Sequence, residues 1–293
     1  MHDRALAPLL LFAGIYIALI AAVWGLAPPA GVAAGQWAAL GCAAAATLLA
    51  PLALERRLPR LGIATPRWAA DVIAGTVLAV LAVGGTHALI LAATAMGHRP
   101  GNGLSGWELA MVFLPAVVHE ELLFRGYAFQ ALIRWNGGAA VAISAGVFAL
   151  LHLGNDGIGP VPLLNIFLAG LLLAVAVIRW RSLLVAIAAH FGWNVLSGPV
   201  LGHEVSGWTA EGQLFRTVDP GPDLLTGGTF GIEGSVLMTG VLVALIALLS
   251  TPLLRGPRRR PADTIEPGSQ FSVHSSQKER PELESEEPLR TEN

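Results

Sequence analysis

The chain has 293 residues, of which 54% are hydrophobic and only 13% are charged, and its net charge is −2. A soluble domain usually carries about 25% charged residues, so this composition excludes an ordinary soluble globular protein. No basic surface interleaved with aromatic residues is visible, and we therefore expect no nucleic-acid partner. The single cysteine, Cys42, excludes an intrachain disulfide framework.

Apolar segments recur along the chain, most of them about as long as a helix must be to cross a bilayer. They are rich in Ala, Leu and Val and lack strict alternation, which favours helices over the strands of a membrane barrel. The predicted fold class is all-α: a polytopic helical protein with about eight transmembrane helices, whose surroundings are the lipid bilayer. The predicted segments are 5–27, 31–54, 70–95, 107–134, 139–153, 160–178, 182–200 and 235–254.

Arginines are concentrated at alternate ends of these segments. Threading the chain back and forth places nearly all of them on one side, and only Arg99 and Arg216 fall on the other. The positive-inside rule then predicts a multi-pass protein of the cell membrane with both termini in the cytoplasm. The preference for Arg over Lys, together with abundant Ala and Gly, indicates a prokaryotic source. The arginine-rich side holds Arg4, Arg56, Arg57, Arg60, Arg67, Arg134, Arg179, Arg181, Arg255, Arg258, Arg259 and Arg260.

The hydropathy divides the chain into four parts. Residues 1–106 hold predicted helices 1–3, and residues 107–200 hold helices 4–7 and a group of polar residues inside them. Residues 201–254 combine a polar, Gly-rich extracytoplasmic loop (201–234) with the last helix. Residues 255–293 contain few large apolar residues, which predicts a disordered cytoplasmic tail.

Two adjacent glutamates lie inside the fourth segment, where charge is costly and usually marks a functional site. Glu121 and Arg125 are four residues apart and share a helix face, so we expect them to pair and to support the local structure. Glu120 is rotated by about 100° from Glu121 and has no such partner. We therefore expect Glu120 to be the carboxylate that is free to act as a general base.

Histidines in two other segments complete the polar group. Phe148 and His152 share one helix face in the fifth segment, and His190 and Asn194 share one in the seventh. Helical rise places Glu120, His152 and Asn194 at similar depth, which predicts that the three helices converge on one site.

This set of side chains suits attack of water on a carbonyl. Glu120 and His152 can hold and deprotonate the water, while His190 and Asn194 can donate hydrogen bonds to the oxyanion. Alternatively, Glu120, His152 and His190 can bind a divalent metal such as zinc, which would activate the water. The run HEELL has Leu123 where the zinc helix HExxH has its second histidine. The residues alone leave open whether the site uses a divalent metal or no cofactor.

These residues resemble the motifs of the CPBP family, also called the type II CAAX prenyl endopeptidase or Abi family. The motifs EExxxR, FxxxH and HxxxN occur in order as Glu120 to Arg125, Phe148 to His152 and His190 to Asn194. The resemblance covers about 107–200. It implies an all-helical intramembrane endopeptidase in which the first glutamate is the base and the histidines and asparagine assist it.

The expected function is therefore hydrolysis of a peptide bond within the membrane, with a peptide or a membrane protein as substrate. A non-enzymatic membrane scaffold or bacteriocin-immunity protein is one alternative, with the same residues used for packing. A proton- or cation-coupled transporter that relays protons through Glu120 and the histidines is another. The natural substrate, the use of prenylated substrates and the oligomeric state stay open at this point.

Overall fold

A computed structural model describes residues 3–251, and each of the eight predicted segments contains helix, while the count of eight membrane spans stays a prediction. Three of those segments contain a five-residue π-helical turn, at Val80–Gly84, Leu109–Phe113 and Leu196–Val200. The predicted tail, 255–293, lies outside the described residues. The α-helices are α1 Asp3–Leu26, α2 Gly31–Glu55, α3 Trp68–Ala79, α4 Gly85–Ala93, α5 Gly106–Glu108, α6 Leu114–Arg125, α7 Tyr127–Trp135, α8 Gly137–Leu151, α9 Pro160–Trp180, α10 Leu183–Val195, α11 Asp223–Thr226 and α12 Val236–Ser250.

The protein is a mostly helical, polytopic membrane protein, as the sequence predicts. Within residues 3–251, five helical stretches are both long and apolar enough to cross a membrane. Many large apolar side chains on the outer faces of these helices are exposed, as expected where a helix meets lipid and not water. The five stretches are Leu6–Leu26, Gly31–Glu55, Trp68–Ala93, Pro160–Trp180 and Leu183–Val200.

Small residues allow the helices to pack closely at the centre of the bundle, as is usual in membrane proteins. Gly75 of α3 lies against α10, where an added Cβ would come within 2.4 Å of the Val185 carbonyl oxygen. Gly170 of α9 lies against α8, where a Cβ would come within 3.0 Å of the Ala145 Cα. A larger side chain at either position would push apart the helices that carry the predicted site residues.

Two prolines explain irregular turns beside the site. Pro115 follows the π-helical turn Leu109–Phe113, and Pro199 lies inside the turn Leu196–Val200. Proline lacks an N–H and clashes with the carbonyl four residues earlier, so a regular α-helical ladder is lost locally. The turn Val80–Gly84 contains no proline, and we find no local reason for it in the sequence.

The segment between α10 and α12 is folded against the bundle. Its strand β2, Phe215–Val218, pairs antiparallel with β1, Gly97–Pro100. Both oxygens of the buried Glu108 carboxylate accept backbone N–H groups of this segment, from Glu211 and from Gly212, each at 2.9 Å. The loop predicted at 201–234 is thus attached to the start of the fourth helical segment.

Candidate active site

Glu121 and Arg125 form a buried ion pair, as their spacing predicts. Nη1 of Arg125 donates to Oε1 of Glu121 at 3.0 Å, and neither side chain is exposed. Nη2 of Arg125 also donates to the Gly170 carbonyl of α9 at 3.1 Å. The absence of a side chain at Gly170 keeps α8 and α9 close at this level. The pair therefore ties α6 to α9 beneath the site. Oε1 of Glu121 makes these contacts, whereas its Oε2 is buried without a hydrogen-bond partner among the described residues.

Glu120 points to a different face of α6 and lies on the wall of a cavity. Its side chain is 28% exposed, and its Oε2 atom has no hydrogen-bond partner among the described residues. Nε2 of His190 lies 3.8 Å from this oxygen, which is beyond hydrogen-bond distance. A carboxylate oxygen that is buried and unpaired costs free energy, and such groups call for a functional explanation.

His190 lies between the two glutamates. Nδ1 of its ring donates to Oε1 of Glu121 at 2.9 Å, while Nε2 faces Glu120. A carboxylate at Nδ1 fixes both the orientation of the ring and the position of its proton. Nε2 is then the atom that can meet a ligand in the cavity, and it donates a hydrogen bond there when the ring is protonated.

His152 ends α8 and also lines the cavity. Its Nδ1 donates to the Phe148 carbonyl at 2.7 Å, so the lone pair of the neutral ring is on Nε2. The Phe148 ring lies between the two histidine rings, with centroid separations of 4.6 Å to His152 and 6.0 Å to His190. The guanidinium of Arg125 lies 4.6 Å from the same ring centroid. Phe148 thereby connects the motif residues of three helices through direct contacts.

Asn194 is half-buried on the cavity wall, one turn of α10 beyond His190. Its neighbour Trp193 is held by Glu233, whose Oε1 accepts the indole N–H at 2.8 Å. Oε2 of Glu233 accepts both the backbone N–H and the hydroxyl of Ser206, each at 2.7 Å. This carboxylate, which the sequence analysis did not single out, attaches the loop after α10 to the helix that carries Asn194.

The four predicted catalytic residues line one cavity of about 710 Å³. A cavity of this volume is within the usual range for sites that enclose a ligand. Much of its wall is apolar, and Phe113, Leu123 and Leu173 belong to it. The structure therefore brings together the residues Glu120, His152, His190 and Asn194, whereas their separate catalytic roles stay predictions.

The loop after α10 contributes to this cavity. Residues 205–208 line it, and the amide of Asn155 donates to the Ser206 carbonyl at 3.0 Å. Gly207 has a φ of +83°, and a Cβ there would come within 2.1 Å of the Asp156 carbonyl oxygen. Only glycine allows the two loops to approach so closely, which places Trp208 at the edge of the cavity.

A histidine next to the glutamates also belongs to the cavity wall. The hydroxyl of Tyr16, from α1, lies 2.7 Å from Nε2 of His119, and both residues line the cavity. The sequence offered no signal for this pair, because the two residues are 103 positions apart. For Glu233, the only available signal was an isolated acid at the edge of a predicted helix.

A metal site is not evident in this arrangement. Within residues 3–251 there is no group of three His, Cys, Asp or Glu side chains placed to hold a metal ion. Glu120, His152 and His190, the alternative ligand set, thus do not fit a three-ligand site.

A family model matches part of the chain. Residues 102–196 match the family described as type II CAAX prenyl endopeptidase Rce1-like. The comparison with curated proteins and that with solved structures found no match. The matched segment contains the whole motif set from Glu120 to Asn194, but neither the segment 205–208 nor Glu233. This match confirms the resemblance to the CPBP family of intramembrane proteases and supports, at family level, a peptidase that works in the membrane.

Proposed function

We propose that this protein hydrolyses peptide bonds of membrane-associated polypeptides with water activated by Glu120. The observation that carries the proposal is the buried, unpaired Oε2 of Glu120 on the wall that also holds His152, His190 and Asn194. The family match supports the same reaction class. The pairing of Glu121 with Arg125 leaves Glu120 as the carboxylate that can exchange a proton.

The proposed reaction uses both carboxylate and imidazole. Water donates hydrogen bonds to Glu120 and to the Nε2 lone pair of His152, and Glu120 takes one of its protons as the oxygen attacks the peptide carbonyl carbon. The proton on Glu120 then passes to the leaving amine when the C–N bond breaks. The products are a carboxylic acid and an amine, and the enzyme returns to its starting protonation state.

The oxyanion of the tetrahedral intermediate needs donors on the opposite side of the carbonyl. The Asn194 amide and Nε2 of a protonated His190 serve this purpose in our proposal. The carboxylate of Glu121 at Nδ1 stabilises the positive charge of that imidazole and orients the ring. Glu121 is thus a positioning residue, while His190 and Asn194 contact the reacting atoms.

The experiment that tests the function uses the full-length protein and a set of membrane-anchored reporter peptides. Glu120→Gln keeps the shape of the side chain and removes the base, so cleavage should fall by about 100-fold or more. Arg60→Gln, a change at an exposed side chain that does not line the cavity, is the control. Full cleavage by the Glu120→Gln variant would remove the proposal.

The transporter alternative receives less support from the cavity. Alternating access requires a path to both faces of the membrane around a central site. The described residues that line the cavity do not include any from the linkers 56–67 or 181–182. A flux assay in liposomes with no dependence on pH or on cations would agree with the hydrolase.

A further inference from the structure

Polar contacts define two ends of the helical bundle. At the first, Oε1 of Glu55 accepts hydrogen bonds from Tyr127 and Arg134 at 3.0 and 2.9 Å. The hydroxyl of Ser182 donates to the Gly62 carbonyl at 3.0 Å, which joins the linker after α2 to the start of α10. We name this the arginine end, because the described arginines here are Arg56, Arg57, Arg60, Arg67, Arg134, Arg179 and Arg181.

The opposite end, which we name the loop end, holds β1, β2 and residues 201–235. Asn165, near the start of α9, donates to the carbonyls of Glu233 and Ser235, just before α12. The described arginines here are Arg99 and Arg216, which face each other in the register of the two strands. The charge asymmetry expected from the sequence is therefore present between the two ends.

The cavity belongs to the loop end. Its exposed lining residues include Val32 at the start of α2, Leu151 at the end of α8, Asp156, and Trp208. These positions are where the respective helices or loops reach the surface. Among the described residues, the lining includes none from the linkers at the arginine end. The entrance to the cavity is thus on the side away from most of the positive charge.

Arginine-rich loops remain on the cytoplasmic side of a membrane. We infer that the cavity opens toward the extracytoplasmic face and takes an internal segment of a polypeptide from that side. This inference rests on the proposed function for the reaction itself, whereas the direction of the opening depends only on the positions of the cavity and the arginines.

The charges in the cavity favour an internal segment over a free C-terminus. The lining carries the acids Glu120, Asp156 and Glu233, and no Lys or Arg among the described residues. Arg125 is fully buried beneath the cavity and is already paired with Glu121. A terminal carboxylate would meet these acids, and in the proposed reaction the protonated His190 already serves the oxyanion, so the terminal charge would have no further cation in the described lining. Such a charge is unfavourable in a low-dielectric site. An uncharged or basic segment avoids this cost.

The direction of the opening can be tested by labelling with a membrane-impermeant maleimide. The full chain is expressed in bacteria in a Cys42→Ala background, which removes the single cysteine. Asp156→Cys and Asp219→Cys report on the loop end, and Arg60→Cys is the matched control at the arginine end; all three native residues are exposed. We expect the first two to react in intact cells and Arg60→Cys to react only after permeabilisation.

The opposite labelling pattern, or equal labelling of all three variants in intact cells, would overturn the inference. Labelling does not require cleavage activity. The direction of the opening is therefore tested separately from the proposed function, which the Glu120→Gln assay tests. In cell membranes with cleavage activity, attaching a bulky maleimide at Asp156→Cys should lower cleavage at least tenfold. The same reagent at Arg60→Cys should leave cleavage unchanged, and equal effects at both positions would contradict the assignment of the entrance.

Two reporters test the choice of an internal segment. They share the same membrane anchor and cleavable segment, but one continues into a folded tag and the other ends three residues after the cleavage point. We expect the continued reporter to be cleaved at least as fast as the short one. Cleavage confined to the short reporter would show that a free C-terminus is required and would refute this part of the inference.

Discussion

Replacing Glu121 with glutamine should strongly destabilise the protein, whereas the same change at Glu120 should not. Glu121 is fully buried and contacts Arg125 at 3.0 Å and His190 at 2.9 Å. The substitution leaves the buried Arg125 guanidinium without its counter-charge. Removing one partner of a buried ion pair costs about 3–5 kcal/mol. At about 2–4 °C per kcal/mol for a protein of this size, Tm should fall by roughly 6–20 °C.

Glu120→Gln is the matched control for this measurement, since the same chemical change is made at the adjacent position. Glu120 is partly exposed, and its Oε2 has no hydrogen-bond partner among the described residues. The expected effect on unfolding is within about 0.5 kcal/mol, while cleavage is lost. Tm is measured in detergent by tryptophan fluorescence or by size-exclusion chromatography after heating. Equal Tm values for the parent and Glu121→Gln would refute the structural role, and a large loss in Glu120→Gln would favour the scaffold alternative.

Three further measurements probe the surroundings of the site. Asn165→Leu removes the hydrogen bonds that the amide donates to two backbone carbonyls and the one that it accepts from the Thr239 hydroxyl. This should destabilise the protein by about 2–4 kcal/mol in the same thermal assay. Glu233→Gln replaces one accepting oxygen by an N–H₂ group, which cannot accept the hydrogen bond from Trp193 or from Ser206. This loosens the loop at the cavity, so KM should rise more than kcat falls in cleavage kinetics. Burial and two neighbouring histidines lower the pKa of His203 from 6.5 to about 3. The folded state therefore favours the neutral ring, so stability is complete above about pH 6.5 and declines below it, by roughly 2 kcal/mol at pH 5. Thermal unfolding at pH 7 and pH 5 checks this, and His203→Gln should show a smaller difference.

The local features of the fold follow from patterns that a single sequence displays. The helices coincide with the apolar segments because a backbone in lipid must satisfy its own hydrogen bonds. The pairing of Glu121 with Arg125 follows from helical spacing, which is a property of neighbouring residues. The convergence of Glu120, His152 and His190 required the additional assumption that three helices are neighbours, and the cavity shows that they are.

Contacts between distant segments left no such pattern. Glu108 accepts hydrogen bonds from the loop after α10, and Glu233 in that loop accepts one from Trp193; both contacts depend on how the loop folds. The pair formed by His87 and His203, with ring nitrogens 2.9 Å apart, joins residues 116 positions apart. The residues three and four positions from His87 on its own helix are apolar or glycine, so helical spacing offers no sign of this pair. Hydropathy shows where the loop begins and ends, but not which of its carboxylates turn inward.

The two adjacent glutamates show how one helix separates stability from chemistry. A rotation of about 100° between neighbours is enough to direct Glu121 into the core and Glu120 into the cavity. His190 touches Glu121 with one ring nitrogen and faces Glu120 with the other, so the structural carboxylate also orients a group at the reacting centre. A change at Glu121 should therefore lower both Tm and cleavage, whereas a change at Glu120 should lower cleavage alone. Loss of cleavage with an unchanged Tm, and not loss of cleavage by itself, identifies which carboxylate is the base.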